Sequence, residues 1–64
     1  MKFSVGEIVT CYEMYGDLRI VKSSAIGLIT KSTLYNNDNT PVYTVFYKGN
    51  NILFEEYQIE KLKK

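Results

Sequence analysis

Apolar and polar residues alternate in short runs along most of the chain, the period-two pattern of half-buried strands. The first run, Glu7-Ile8-Val9-Thr10-Cys11-Tyr12, is rich in β-branched and aromatic residues, follows the punctuating Gly6, and predicts a strand. A mixed segment from Glu13 to Ser24 has Gly16-Asp17 as a turn and Leu18 to Lys22 as an irregular loop or a short strand. Ala25-Ile26-Gly27-Leu28-Ile29-Thr30-Lys31 predicts a second strand, its central glycine marking a close backbone approach or a sharp bend. The polar run Asn36 to Thr40 with Pro41 predicts an exposed loop that ends it.

The strongest local signal is a hairpin. Val42 to Lys48 and Asn51 to Glu55 are β-rich runs on either side of Gly49-Asn50, residues that tolerate the positive φ of primed turns. A single helical turn at Glu56-Tyr57-Gln58 and a short strand Ile59 to Leu62 follow, with a helix over Glu55 to Lys63 as the alternative. Five short strands in so few residues are best protected at their edges by a closed or nearly closed barrel.

Placing the turn at Gly49-Asn50 opposes Tyr47 to Ile52, Phe46 to Leu53 and Val45 to Phe54. One hairpin face then carries Val45, Tyr47, Ile52 and Phe54, an apolar core set. The other carries polar Thr44, Lys48, Asn51 and Glu55, but also Phe46 and Leu53. Alternation around core Val9, Cys11, Gly27 and Ile29 sends Ile8 and Leu28 to that same outer face. The expected result is an exposed apolar patch, unless the Glu13 to Ser24 segment or the N-terminal residues fold over it.

Composition sharpens this picture by exclusion. With 64 residues the chain holds one domain, spanning 1–64, near the lower limit for independent folding. Apolar residues make up 45% and charged residues 23%, as in globular proteins. The single cysteine, Cys11, forms no intrachain disulfide and reads as a small core residue; with no histidine, a zinc site is not expected. No cofactor is expected either. Without histidine there is no Ser/His or Cys/His pair, and no phosphate loop occurs. Glu55 and Glu56 are adjacent and point to opposite faces of a strand, so they cannot share one site. Asn36 to Asn39 lacks the glycine and distal glutamate of a calcium loop. The expectation is a protein that binds and does not catalyse.

A net charge of +1 gives weak long-range attraction to phosphate. The start of the chain lacks the apolar run of a signal peptide, and no stretch approaches the ~20 apolar residues of a membrane span, so the cytoplasm is the expected location.

Tyr43-Thr44-Val45-Phe46-Tyr47-Lys48-Gly49-Asn50, continued by Phe54, Ile59 and Leu62, resembles the last three strands of Tudor-like and other SH3-like barrels. Val5-Gly6-Glu7-Ile8-Val9 and Ile26-Gly27-Leu28-Ile29 resemble the first two strands of Tudor and KOW-type domains. The whole is similar to small SH3-like proteins of tailed bacteriophages. The chain departs from the Tudor pattern at Tyr47, where an acidic residue is common, and from the KOW pattern at Ser23-Ser24-Ala25. The resemblance implies an all-β, five-stranded SH3-like barrel with one helical turn before its last strand. It also implies a phage accessory protein, in the host cytoplasm, that engages and modulates a host or viral protein.

The residues expected to bind a protein partner are Phe46, Leu53, Tyr12, Tyr15 and Leu28. The six tyrosines are amphipathic contact residues where they lie near loops, and about half should fill the core. The alternative partner is a nucleic acid, held by Arg19, Lys22 and Lys31 with the C-terminal lysines and stacked on Tyr12 and Tyr15. A small homo-oligomeric structural component is the third reading.

Overall fold

The computed structural model describes residues 2–16, 20–35 and 40–62. Five strands run through them: β1 (Ile8–Met14), β2 (Val21–Tyr35), β3 (Thr40–Tyr47), β4 (Asn50–Glu55) and β5 (Ile59–Lys61), with one 3-10 turn, Glu56–Gln58, before β5. Every pairing is antiparallel and the strand order is β4-β3-β2-β1-β5. The all-β class, the five strands and the helical turn just before the last strand are those the sequence predicts.

β2 organises the sheet. It pairs with β1 from Val21 to Leu28 and with β3 from Gly27 to Tyr35. Gly27 stands in the overlap, opposite both Val9 and Tyr47. A Cβ there would lie 2.4 Å from Val45 Cγ1 and 3.3 Å from Cys11 Sγ. No side chain fits, which is the close approach its place in an apolar run predicts. A bulge between Ile29 and Lys31 follows, and bulges bend a strand and increase its twist.

Among the described residues no second layer covers the sheet, so its apolar side is buried by the sheet's own curvature. Val9, Cys11, Ile29, Tyr43, Val45, Tyr47 and Phe54 are each at most 2% exposed, and Tyr47 meets Phe54 edge to face with ring centroids 5.0 Å apart. The N-terminal segment closes one end. Phe3 is buried edge-on against Tyr43, and its N–H donates to Tyr43 Oη at 3.3 Å. Tyr43 Oη donates in turn to Glu56 Oε2 at 2.7 Å, which also accepts the Lys2 N–H. Burial and the Glu56 hydrogen bond both raise the Tyr43 pKa above its ordinary value.

The structure corrects the sequence reading at the hairpin. Lys48 and Gly49, both at positive φ, form the two-residue turn, so Tyr47 opposes Asn50, Val45 opposes Ile52 and Tyr43 opposes Phe54. Phe46 opposes Asn51 and Leu53 opposes Thr44, so Phe46 and Leu53 are diagonal neighbours and not a direct pair. Moving a two-residue turn back by one position shifts the register by two, which leaves every side chain on its face. Hydrophobic alternation therefore cannot distinguish the two registers. The glycine suits either turn, first in type II′ or second in type I′.

Strand boundaries also differ. β1 extends to Met14 and β2 begins at Val21, because the two continue to pair through Glu13 with Ser23 and Met14 with Val21. β2 runs on to Tyr35, and Thr40 and Pro41 belong to β3 opposite Tyr35 and Leu34. Pro41 is tolerated because β4 pairs with β3 only from Val42 onward. The alternative helix over Glu55 to Lys63 does not form. Glu55 and Gln58 close a capping box around the 3-10 turn, and Ile59 then returns, buried, opposite Cys11. The Asn36 to Asn39 run lies outside the described residues.

Candidate partner-binding surface

Alternation that buries Val9, Ile29 and Val45 sends their neighbours outward. Ile8 opposes Leu28, and Leu28 opposes Phe46, so these three form one row across β1, β2 and β3. Leu53 on β4 lies one row away, beside Thr44 and Lys31, and Ile26 lies on the other side of Leu28. All five are between 40% and 60% exposed. Single exposed apolar residues are ordinary; a contiguous set across four strands makes this face the candidate binding surface. Among the described residues, Glu13–Met14 and Val21–Ser24 do not fold over this face but extend the strands, while Phe3 turns into the core.

The structure thus brings Leu28, Phe46 and Leu53 together. Tyr12 shares their face but sits farther along β1, with its hydroxyl donating to Glu60 Oε1 at 2.6 Å, a bond that raises the Tyr12 pKa. Tyr15 lies past the end of β1, exposed, with Lys22 Nζ 5.9 Å from its ring centroid. Lys22 stands near the start of β2 and Lys31 nine residues further along it, past the bulge that follows Ile29. Arg19 and the last two lysines lie outside the described residues.

Sequence reasoning overlooked a polar cluster at the turn end of the sheet. Glu13 Oε2 accepts from Ser23 Oγ, from Tyr47 Oη at 3.2 Å and from Lys48 Nζ at 3.4 Å, while Lys48 Nζ is also 3.3 Å from Ser23 Oγ. The Ser23 hydrogen bond, followed by those from Tyr47 and Lys48, holds the Glu13 carboxyl below its ordinary pKa. A serine beside a lysine invites a nucleophilic reading. Here the Ser23 hydroxyl donates to the Glu13 carboxylate, which also forms an ion pair with Lys48. The cluster pins the positive-φ turn to β1. Nothing local in the sequence announces it, since Glu13 comes from β1, Ser23 from β2 and Lys48 from the β3–β4 turn.

Cys11 is fully buried, and desolvation pushes its pKa up to about 11, so it is a core residue with no thiolate at neutral pH. Among the described residues no group of three His, Cys, Asp or Glu side chains could hold a metal ion, and no helix is long and apolar enough to cross a membrane. Comparison with protein-family models, curated proteins and solved structures finds no match to the chain.

Proposed function

We propose that the chain is a non-enzymatic protein-binding module that engages its partner through the outer sheet face centred on Leu28, Phe46 and Leu53. The supporting observation is the exposed apolar row Ile8, Leu28, Phe46 with Leu53 beside it, on a sheet whose core is already complete on the other side. An outer face of an antiparallel sheet that meets only water is normally polar. Burying this one removes apolar surface from water at roughly 25 cal/mol per Å2. Tyr12 and Tyr15 extend the contact along β1. The resemblance to small phage proteins makes a host or viral protein the partner to look for first.

The Phe46→Ser/Leu53→Ser double variant tests this. The expected result is an unchanged circular dichroism spectrum and a cooperative melt, reduced binding of an apolar fluorescent dye, and loss of partners captured by the wild-type chain. Retained capture at wild-type level by a folded double variant overturns the proposal, and global unfolding would show that both residues belong to the core.

A further inference from the structure

The two edges of the sheet are not equivalent. β5 is three residues long and two of them, Glu60 and Lys61, are charged, the usual protection of an edge. β4 is twice that length, contains no proline or lysine, and carries its one charge at its last residue, Glu55. Among the described strands β4 pairs only with β3.

The turn determines which backbone groups point outward from β4. Tyr47 and Asn50 flank the two-residue turn and exchange hydrogen bonds, so the pairs alternate from there. Asn50, Ile52 and Phe54 direct their N–H and C=O groups to β3; Asn51, Leu53 and Glu55 direct theirs away. The Glu55 N–H agrees with this alternation, because it donates to Gln58 Oε1 at 3.0 Å. Asn51 and Leu53 therefore present backbone donors and acceptors at an exposed edge with no partner among the described residues.

We infer that β4 pairs antiparallel with β4 of a second copy of this chain, with Leu53 on the two-fold axis. In that register Leu53 opposes its own counterpart on the outer face, Ile52 opposes Phe54 on the inner face, and Asn51 opposes Glu55. Apolar residues meet apolar residues at every inner and central position. The two Glu55 carboxylates each face an amide and not one another, and a net charge of +1 per chain adds little repulsion. The two Leu53 residues exchange both backbone hydrogen bonds, and each Asn51 N–H donates to the partner's Glu55 carbonyl. The register one step earlier, centred on Ile52, would oppose Asn51 to Leu53 and Asn50 to Phe54, a poorer match on both faces. This pairing goes beyond the binding face proposed above: it shares Leu53 with that face but rests on the backbone of the edge, and it leaves Leu28 and Phe46 free for another partner.

Light scattering of the wild-type chain from micromolar to millimolar concentration should show the mass rising from one chain toward two, and Leu53→Lys should hold it at one. Leu53→Cys should cross-link to a covalent dimer under mild oxidation or with a short thiol cross-linker, several-fold more than Ile8→Cys, which sits on the same face away from the edge. Buried Cys11 contributes no background. Amide exchange at Asn51 and Leu53 should slow as concentration rises. A single-chain mass throughout together with no excess cross-linking of Leu53→Cys overturns the inference. So does a dimer that survives Leu53→Lys but is lost in Leu28→Ser, since that dimer would be built on the outer face. Partner capture lost only in the Phe46 and Leu28 variants would uphold the binding face whatever becomes of the edge.

Discussion

The inner and outer faces of the same strands are both apolar at their centres, yet only one is covered. On the inner face Val9, Cys11, Ile29, Val45 and Tyr47 are sealed, with Gly27 left bare so that Val45 and Cys11 can close over it. On the outer face Ile8, Leu28 and Phe46 occupy the neighbouring positions and stand half exposed. Equal hydrophobicity therefore does not mean an equal contribution to folding. The inner residues give the monomer their full burial, whereas the outer ones, half exposed, contribute the rest only when something covers them.

The sharpest way to break this comparison is to truncate one phenylalanine on each face. At roughly 0.05–0.15 kcal/mol per residue a domain of this length holds about 3–10 kcal/mol. Phe54→Ala removes a buried ring at a cost of about 3–5 kcal/mol, so its thermal melt should be severely lowered or absent. Gly27→Ala tests the same face by overpacking. Its methyl group collides with Val45, a type of insertion that costs about 1–3 kcal/mol, and chemical denaturation should show a lower midpoint with an unchanged slope.

Tyr43→Phe keeps the ring and deletes the hydroxyl that joins Phe3 to Glu56, for an expected loss of about 1 kcal/mol. The folded-state pKa of Tyr43 lies above the ordinary value of 10.0. Its contribution is complete below that value and is lost as pH rises through the folded pKa, so the wild type should weaken in alkali more than Tyr43→Phe does. Glu13 has the opposite sign. Its pKa is depressed, so its contribution is present above the ordinary carboxyl value of 4.5 and is lost as pH falls through the lower folded value. Denaturation midpoints followed downward from neutral pH should drop more steeply for the wild type than for Glu13→Gln. The smallest effect belongs to the outer face: Phe46→Ala should change stability by no more than about 0.5 kcal/mol. A loss comparable to that of Phe54→Ala would mean the two faces are both core.

Alternation was enough to separate the two faces, because a strand's side chains point to opposite sides whatever the partner. For that reason Phe46, Leu53 and Leu28 were legible as an exposed set even though the hairpin register was misplaced by two. The register was not legible, since Lys48-Gly49 and Gly49-Asn50 are both competent turns and preserve the same faces. The lengths of β1 and β2 were hidden as well. Ser23, Ser24 and Val21 have no strong strand pattern of their own, and they are extended because β1 stands beside them.

By itself the sequence determined the class of fold, the order of its elements, the face each strand buries and the lone cysteine's place in the core. These follow from local periodicity and from residue chemistry. Only the tertiary structure decided that Tyr12 is tied to Glu60, that Glu13 gathers Ser23, Tyr47 and Lys48, and that β4 keeps an edge without protection while β5 does not. Each of these depends on which strands become neighbours, a long-range choice made by burial of the whole sheet and not by any one segment of it.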